Sequence, residues 1–153
     1  MEDDRRVRPI AALALIAALA LAGCGREEEP SVQSPEEVVR AWADTLRAGD
    51  VRGAAEFFAL PSVVSNGTPA ITLRTRAQVR QFNEALPCGA RVLRVSSSAG
   101  FTTATFRLTE RPGPGRCGQG TGQTARTTFV VREGKIREWR RVGDEPPPAG
   151  PIV

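Results

Sequence analysis

Acid–base or nucleophilic chemistry in this chain would have to run on carboxylates and arginines, because its 153 residues include no histidine and no tyrosine. Without a histidine base, neither a Ser–His–Asp nor a Cys–His nucleophile can be assembled. An oxyanion hole of the tyrosine-plus-acid kind is equally out of reach. No glycine-rich segment has the spacing of a phosphate loop. Three acids are left as candidate bases: Asp44, Asp50 and Glu138. Asp44 follows Trp42 by two positions on a helical pattern, which turns it about 200° away from that ring, and it reads as a solvated helix-face charge. Asp50 stands where a helix begins. Capping explains it there, and the helix dipole would favour its charged form, the opposite of what a base near neutrality needs. Glu138 is in phase with Ile136 on a strand pattern, so alternation could turn it inward; a surface charge beside the many arginines is the preferred reading. No residue is assigned as catalytic or as a metal ligand, and no cofactor is expected. The candidates for lining a ligand pocket are Trp42, Phe58, Phe82, Phe101, Phe106, Phe129 and Trp139. Most of them are expected to be core, since aromatics at these spacings usually pack against one another.

The three cysteines divide into one and two. Residues 1–23 read as an export signal, with Arg5, Arg6 and Arg8 in a basic start diluted by Glu2, Asp3 and Asp4. Ile10 to Ala22 is an unbroken apolar run of thirteen residues. A membrane-spanning helix needs roughly 20 apolar residues, so the run suits the hydrophobic region of a signal peptide instead. It ends in Leu21-Ala22-Gly23-Cys24, which resembles the bacterial lipobox, where the cysteine thiol receives a diacylglycerol and the signal is cut off in front of it. Arg5-Arg6 alone lacks the rest of a twin-arginine motif. Two acyl chains anchor a protein stably where one does not. The expected location is the extracytoplasmic side of the cell membrane, with residues 24–33 as a polar tether carrying Glu27, Glu28, Glu29 and Pro30. Cys88 and Cys117 then form an even pair in an oxidising compartment, and a disulfide is expected. It would close a loop of about 30 residues, worth on the order of 3–4 kcal/mol by chain entropy. Metal binding is the rival, but two cysteines without any histidine make a poor zinc site.

The net charge is +4, and removing residues 1–23 takes away three basic and three acidic residues, which leaves it unchanged. Every basic residue but Lys135 is arginine. They are scattered among acids with no aromatic-plus-basic motif, so no nucleic-acid partner is expected.

Residues 34–143 carry the pattern of one domain, and the Pro-rich 144–153 reads as a loose tail. Ser34-Pro35-Glu36-Glu37 is a capping box with proline at the first helical position. Val38, Trp42 and Leu46 recur at helical spacing up to Gly49. A second helix, capped by Asp50, carries Val51, Ala54, Ala55 and Phe58 and stops before Pro61. A polar turn at Ser65-Asn66-Gly67 leads to a short strand at Ile71 to Leu73. Thr75 and Gln78 start a third helix with the stripe Val79, Phe82, Leu86, ended by Pro87. Strands are expected at 90–97, 101–110, 124–132 and 135–142, rich in Thr, Val and Phe, with Glu133-Gly134 as a tight hairpin turn. The loop Arg111 to Gly122 is flexible by composition, and Cys117 would pin it to the end of the third helix. Three helices against a run of strands make an α+β domain with helices on one side of an antiparallel sheet.

Two stretches carry a resemblance. Pro35-Glu36-Glu37-Val38-Val39-Arg40-Ala41-Trp42, followed by Ala48-Gly49-Asp50 and Phe57-Phe58, resembles the opening of nuclear transport factor 2-like domains. Phe129-Val130-Val131-Arg132-Glu133-Gly134-Lys135-Ile136 resembles their closing hairpin. The resemblance implies a strongly curved sheet wrapped around a helix, forming a cone with a pocket. It also implies kinship with ketosteroid isomerases, polyketide cyclases, dehydratases and epoxide hydrolases, and with many members that catalyse nothing. The expected function is a lipid-anchored binding or accessory domain without catalysis; the sequence does not name its ligand, and a small apolar molecule is one candidate partner. The alternatives are a small-molecule isomerase or hydrolase that uses a carboxylate and arginine inside the cone, and a homodimeric interaction module.

Overall fold

The computed structural model describes residues 33–143. Helix α1, Pro35–Arg47, begins as its capping box dictates: the Ser34 hydroxyl accepts from the Glu37 N–H at 3.3 Å, and the Glu37 carboxylate accepts from the Ser34 N–H at 2.7 Å. Both contacts satisfy helix-start donors that would otherwise face water. The helix ends at Gly49, whose φ of 88° is left-handed and open to glycine at no steric cost. One face of α1 buries Val38, Val39, Trp42, Ala43 and Leu46.

Helix α2, Val51–Glu56, is capped by Asp50, which accepts from the Gly53 N–H at 2.8 Å. It stops short of Phe58, contrary to the sequence-based expectation. Phe58 instead opens strand β1, Phe58–Ser65. The reason is long-range: the Phe57 carbonyl accepts from the Ile136 N–H at 2.8 Å, and the Arg76 guanidinium takes the Ala55 and Phe58 carbonyls. The bond from Ile136 draws the chain at Phe57 toward the last strand, Lys135–Val142, and out of the helix. After β1 come β2, Ile71–Leu73, and α3, Arg76–Ala85, whose Thr75–Gln78 capping box forms as expected. Four strands complete the chain: β3, Gly89–Ser98; β4, Phe101–Thr109; β5, Thr124–Arg132; and β6, Lys135–Val142. Glu133 and Gly134 join the last two with φ of 53° and 69°. Two positive values in sequence make the twist-compatible hairpin turn.

The six strands form one sheet in the order β2-β1-β6-β5-β4-β3. It is not antiparallel throughout: β1 runs parallel to β6, while every other neighbour pair is antiparallel. The sequence carries no local signal for the parallel pair, since the expected helix runs past Phe58 and no strand is expected between Pro61 and the turn at Ser65. Bulges break the pairing at Leu93 in β3 and at Arg137 in β6, and such bulges bend a sheet. The helices cover one face of this curved sheet. Helix α1 lies across β3, β4 and β5, and α3 links β2 at one edge to β3 at the other.

The segment between β4 and β5 is better anchored than its glycine content suggests. Cys88 and Cys117 form a disulfide with Cα atoms 4.5 Å apart. The Glu110 carboxylate accepts from the N–H groups of Cys117 and Gly118 and from the Thr121 hydroxyl at 2.9–3.1 Å. Arg111, only 7% exposed, donates to the carbonyls of Leu86 at 2.7 and 2.9 Å and of Glu84 at 3.0 Å. A cation placed on the unpaired carbonyls at the end of α3 is favoured both by hydrogen bonding and by the helix dipole.

Candidate functional site

Trp42 is the hub of the core. Its ring makes edge-on contacts with Phe58, Phe106, Phe129 and Trp139 at centroid distances of 5.6–6.4 Å, a geometry worth more than area burial alone. Its indole N–H donates to Oδ1 of Asn83 at 2.9 Å, and the Asn83 amide in turn donates to the Val79 carbonyl at 2.8 Å. Asn83 is fully buried. A buried amide is tolerated only when it is bonded, and here the bond fixes the ring plane of Trp42.

On one side of that ring lies an apolar cavity of about 120 Å³. Trp42 and Leu46 of α1 form one wall. Leu86, Pro87, Cys88 and Ala90 form a second, where α3 hands over to β3. The sheet supplies Phe106 and Leu108 from β4, Ala125 and Thr127 from β5, and Trp139 and Arg141 from β6; Asn66, just past β1, completes the lining. The polar members sit together. Thr127 pairs with Arg141 across β5 and β6, and Ser65 pairs with Arg140 across β1 and β6, which places Asn66 beside Arg141.

The seven aromatic candidates separate accordingly. Trp42, Phe106 and Trp139 line the cavity. Phe58 and Phe129 are fully buried in the core and do not reach it, and Phe82 packs edge-on against Phe58 and Trp139. Phe101 stands 51% exposed at the first position of β4, away from the cavity; strand alternation puts Thr102, Ala104 and Phe106 inside and Phe101 outside.

None of the three candidate bases lines the cavity. Asp44 pairs with Arg47 at 2.9 Å on the exposed side of α1. Asp50 caps α2. Glu138 does not face inward, despite its phase with Ile136. The register shift leaves Arg137 as an extra residue between Ile136 and Glu138, and a one-residue slip moves the side chain to the other face. Glu138 is bound instead to Arg140 at 2.8 Å.

The carboxylates whose acidity is displaced also lie elsewhere. Hydrogen bonds from Ser97 hold Glu36 below the usual range, those from Ser34 do so for Glu37, and those from the Cys117 and Gly118 N–H groups do so for Glu110. Each is a charge made more stable, which suits a structural acceptor. Arg141 is the one charged lining residue, and it has no ion pair among the described residues. Among those residues, no group of three His, Cys, Asp or Glu side chains is placed to hold a metal ion. No helix among them is long and apolar enough to cross a membrane.

No family model and no curated protein matches the sequence. Solved structures do match. One is a nuclear transport factor 2-like protein of unknown function from Cytophaga hutchinsonii, with a TM-score of 0.59 and 9% identity over 76% of this chain and 95% of that one. Another is a protein with a ketosteroid isomerase-like fold from Catenulispora acidiphila, in complex with trimethylamine, with a TM-score of 0.53 and 15% identity over 72% and 87%. A third is a designed protein with a curved β-sheet, with a TM-score of 0.54 and 19% identity over 71% and 86%. The domain has the nuclear transport factor 2-like fold. At these identities the likeness carries the fold alone, and the presence of a designed protein among the neighbours underlines that a fold is not a function.

Two features of the site were missed in the sequence. Asn83 falls four residues after Val79, on the apolar stripe of α3, and a polar residue on such a stripe is the signal that could have marked it. Arg141, by contrast, is one arginine among twenty, with nothing local to distinguish it.

Proposed function

We propose that this chain is a lipid-anchored extracytoplasmic protein whose cone-shaped domain binds a small apolar ligand without transforming it. The observation that carries the binding half is the 120 Å³ cavity between Trp42, Phe106 and Trp139, in which no Asp or Glu takes part among the described residues. A cavity of about 150 Å³ lined by aliphatic and aromatic groups stays dry and takes up benzene, so a pocket of nearly that size fits a compact apolar group. An isomerase or hydrolase of the kind this fold hosts would need a base against the bound molecule, and the three candidate acids are engaged elsewhere. The anchoring half rests on Cys24 and the apolar run before it, outside the described residues.

Both tryptophans of the chain, Trp42 and Trp139, line the cavity, so intrinsic fluorescence reports on its contents. Titration with benzyl alcohol should give a saturable change. Ala125→Phe, which fills the space, should abolish that change while leaving the far-ultraviolet dichroism intact. An unsaturable response, or the same response in the filled variant, would contradict the reading. Turnover of a ketosteroid or polyketide-like substrate that vanished with Asp44→Ala or Glu138→Ala would replace it with the enzyme.

A further inference from the structure

We infer that the ligand is an amphiphilic organic anion, with an apolar body of about the size of one six-membered ring and a single carboxylate-like head held at the rim by Arg141. The inference rests on the binding reading above and adds the chemistry of the ligand to it.

The polarity of the cavity is segregated. Its walls are apolar, and its three polar side chains, Asn66, Thr127 and Arg141, come from adjacent positions just past β1 and on β5 and β6, at one end of the sheet. An apolar ligand without a head would leave that rim unused; a ligand with polar groups at both ends would bury one of them against Trp42 and Phe106 without a partner, which is unfavourable. One apolar end and one polar end is the match.

The sign of the head follows from charge. Among the described residues, Arg141 is the only charged group on the lining, and no carboxylate stands on it. Most arginines among the described residues have no acid partner, so what marks Arg141 is its place on the lining of an apolar cavity. A guanidinium carries a fixed fork of donors that fits a carboxylate in two parallel hydrogen bonds. The Asn66 amide and Thr127 hydroxyl beside it can also donate. Since arginine stays charged at all ordinary pH values, binding should fade only when the ligand itself is protonated.

The test uses three probes of one shape and three charges on the purified full chain: benzoate, benzyl alcohol and benzylamine. They are titrated at pH 7 against tryptophan fluorescence, with wild type and Arg141→Gln compared. Benzoate should bind about tenfold more tightly than benzyl alcohol, the size expected when a hydrogen bond to a charged group is made at a partly wet rim. Arg141→Gln should bring benzoate down to about the level of benzyl alcohol, with a much smaller loss for benzyl alcohol itself. Arg141 is exposed, so the variant should melt like wild type. Equal binding of benzoate and benzyl alcohol, or a preference for benzylamine, would overturn the anionic class while leaving the pocket reading standing. Benzoate binding that survives Arg141→Gln would overturn the role of Arg141. No saturable response to any of the three would overturn the pocket reading itself.

Discussion

Replacing Asn83 with alanine tests how the cavity wall is held. The side chain is fully buried and is the acceptor for the Trp42 indole N–H at 2.9 Å. Its loss strands that donor in a dry interior, which costs about 1–3 kcal/mol. The vacated volume adds about 1 kcal/mol, because a packed core relaxes only in part. The sum, about 2–4 kcal/mol, corresponds to a melting point lower by on the order of 10 °C for a domain of this size. Denaturant unfolding followed by circular dichroism measures it. A double-mutant cycle with Trp42→Phe should give a coupling of about 1–2 kcal/mol, since the two residues share one bond. Asn83→Ala should also weaken the fluorescence response to ligand, because the ring of Trp42 is no longer fixed. Stability within about 0.5 kcal/mol of wild type, or a strictly additive cycle, would refute the reasoning; changes that small are typical of surface substitutions.

Further outcomes follow, the first from the sequence and the others from the structure. Cys24→Ser should abolish membrane attachment and leave the precursor uncut in front of residue 24; cell fractionation and intact mass decide it, and a membrane-bound protein cut at the same bond would contradict the lipobox reading. Cys88→Ser should lower stability by about 3–4 kcal/mol in the chain-entropy picture. Thiol counting on the unfolded, unreduced wild type should find neither Cys88 nor Cys117 free. Glu110 has its carboxyl held below the ordinary value of 4.5 by hydrogen bonds from the Cys117 and Gly118 N–H groups and the Thr121 hydroxyl. Its contribution to stability is therefore present above that value and lost as pH falls through the lower folded value. Glu110→Gln should accordingly flatten acid unfolding below about pH 4.5, and an unchanged pH profile would show that the contact is idle.

What the sequence disclosed was local chemistry. Caps at Ser34, Asp50 and Thr75 and the turn at Glu133-Gly134 are decided by residues within three or four positions, and each stands where expected. Cys88 and Cys117 were the only cysteines left once Cys24 was set aside. Features decided at a distance were not legible. Strand β1 exists because β6, more than seventy residues further on, pairs with it. Glu138 is the surface charge beside an arginine that was preferred for it, but the extra residue Arg137 that breaks the period of two could not be read locally. The β4–β5 segment looked loose by its glycines, yet Glu110 and Arg111 at its start bind across it. The aromatic set was read as one group, and only the register of the strands sorts Phe106 to the cavity, Phe129 to the core and Phe101 to the surface.

The central claim is that the space between Trp42 and Trp139 holds a small molecule. Native mass spectrometry of the chain purified from the cells that make it tests this most directly, with Ala125→Phe measured beside it. One non-covalent adduct per wild-type chain, absent from the filled variant, is expected. A bare wild-type mass under conditions that preserve the fold, or an adduct retained by Ala125→Phe, would contradict it.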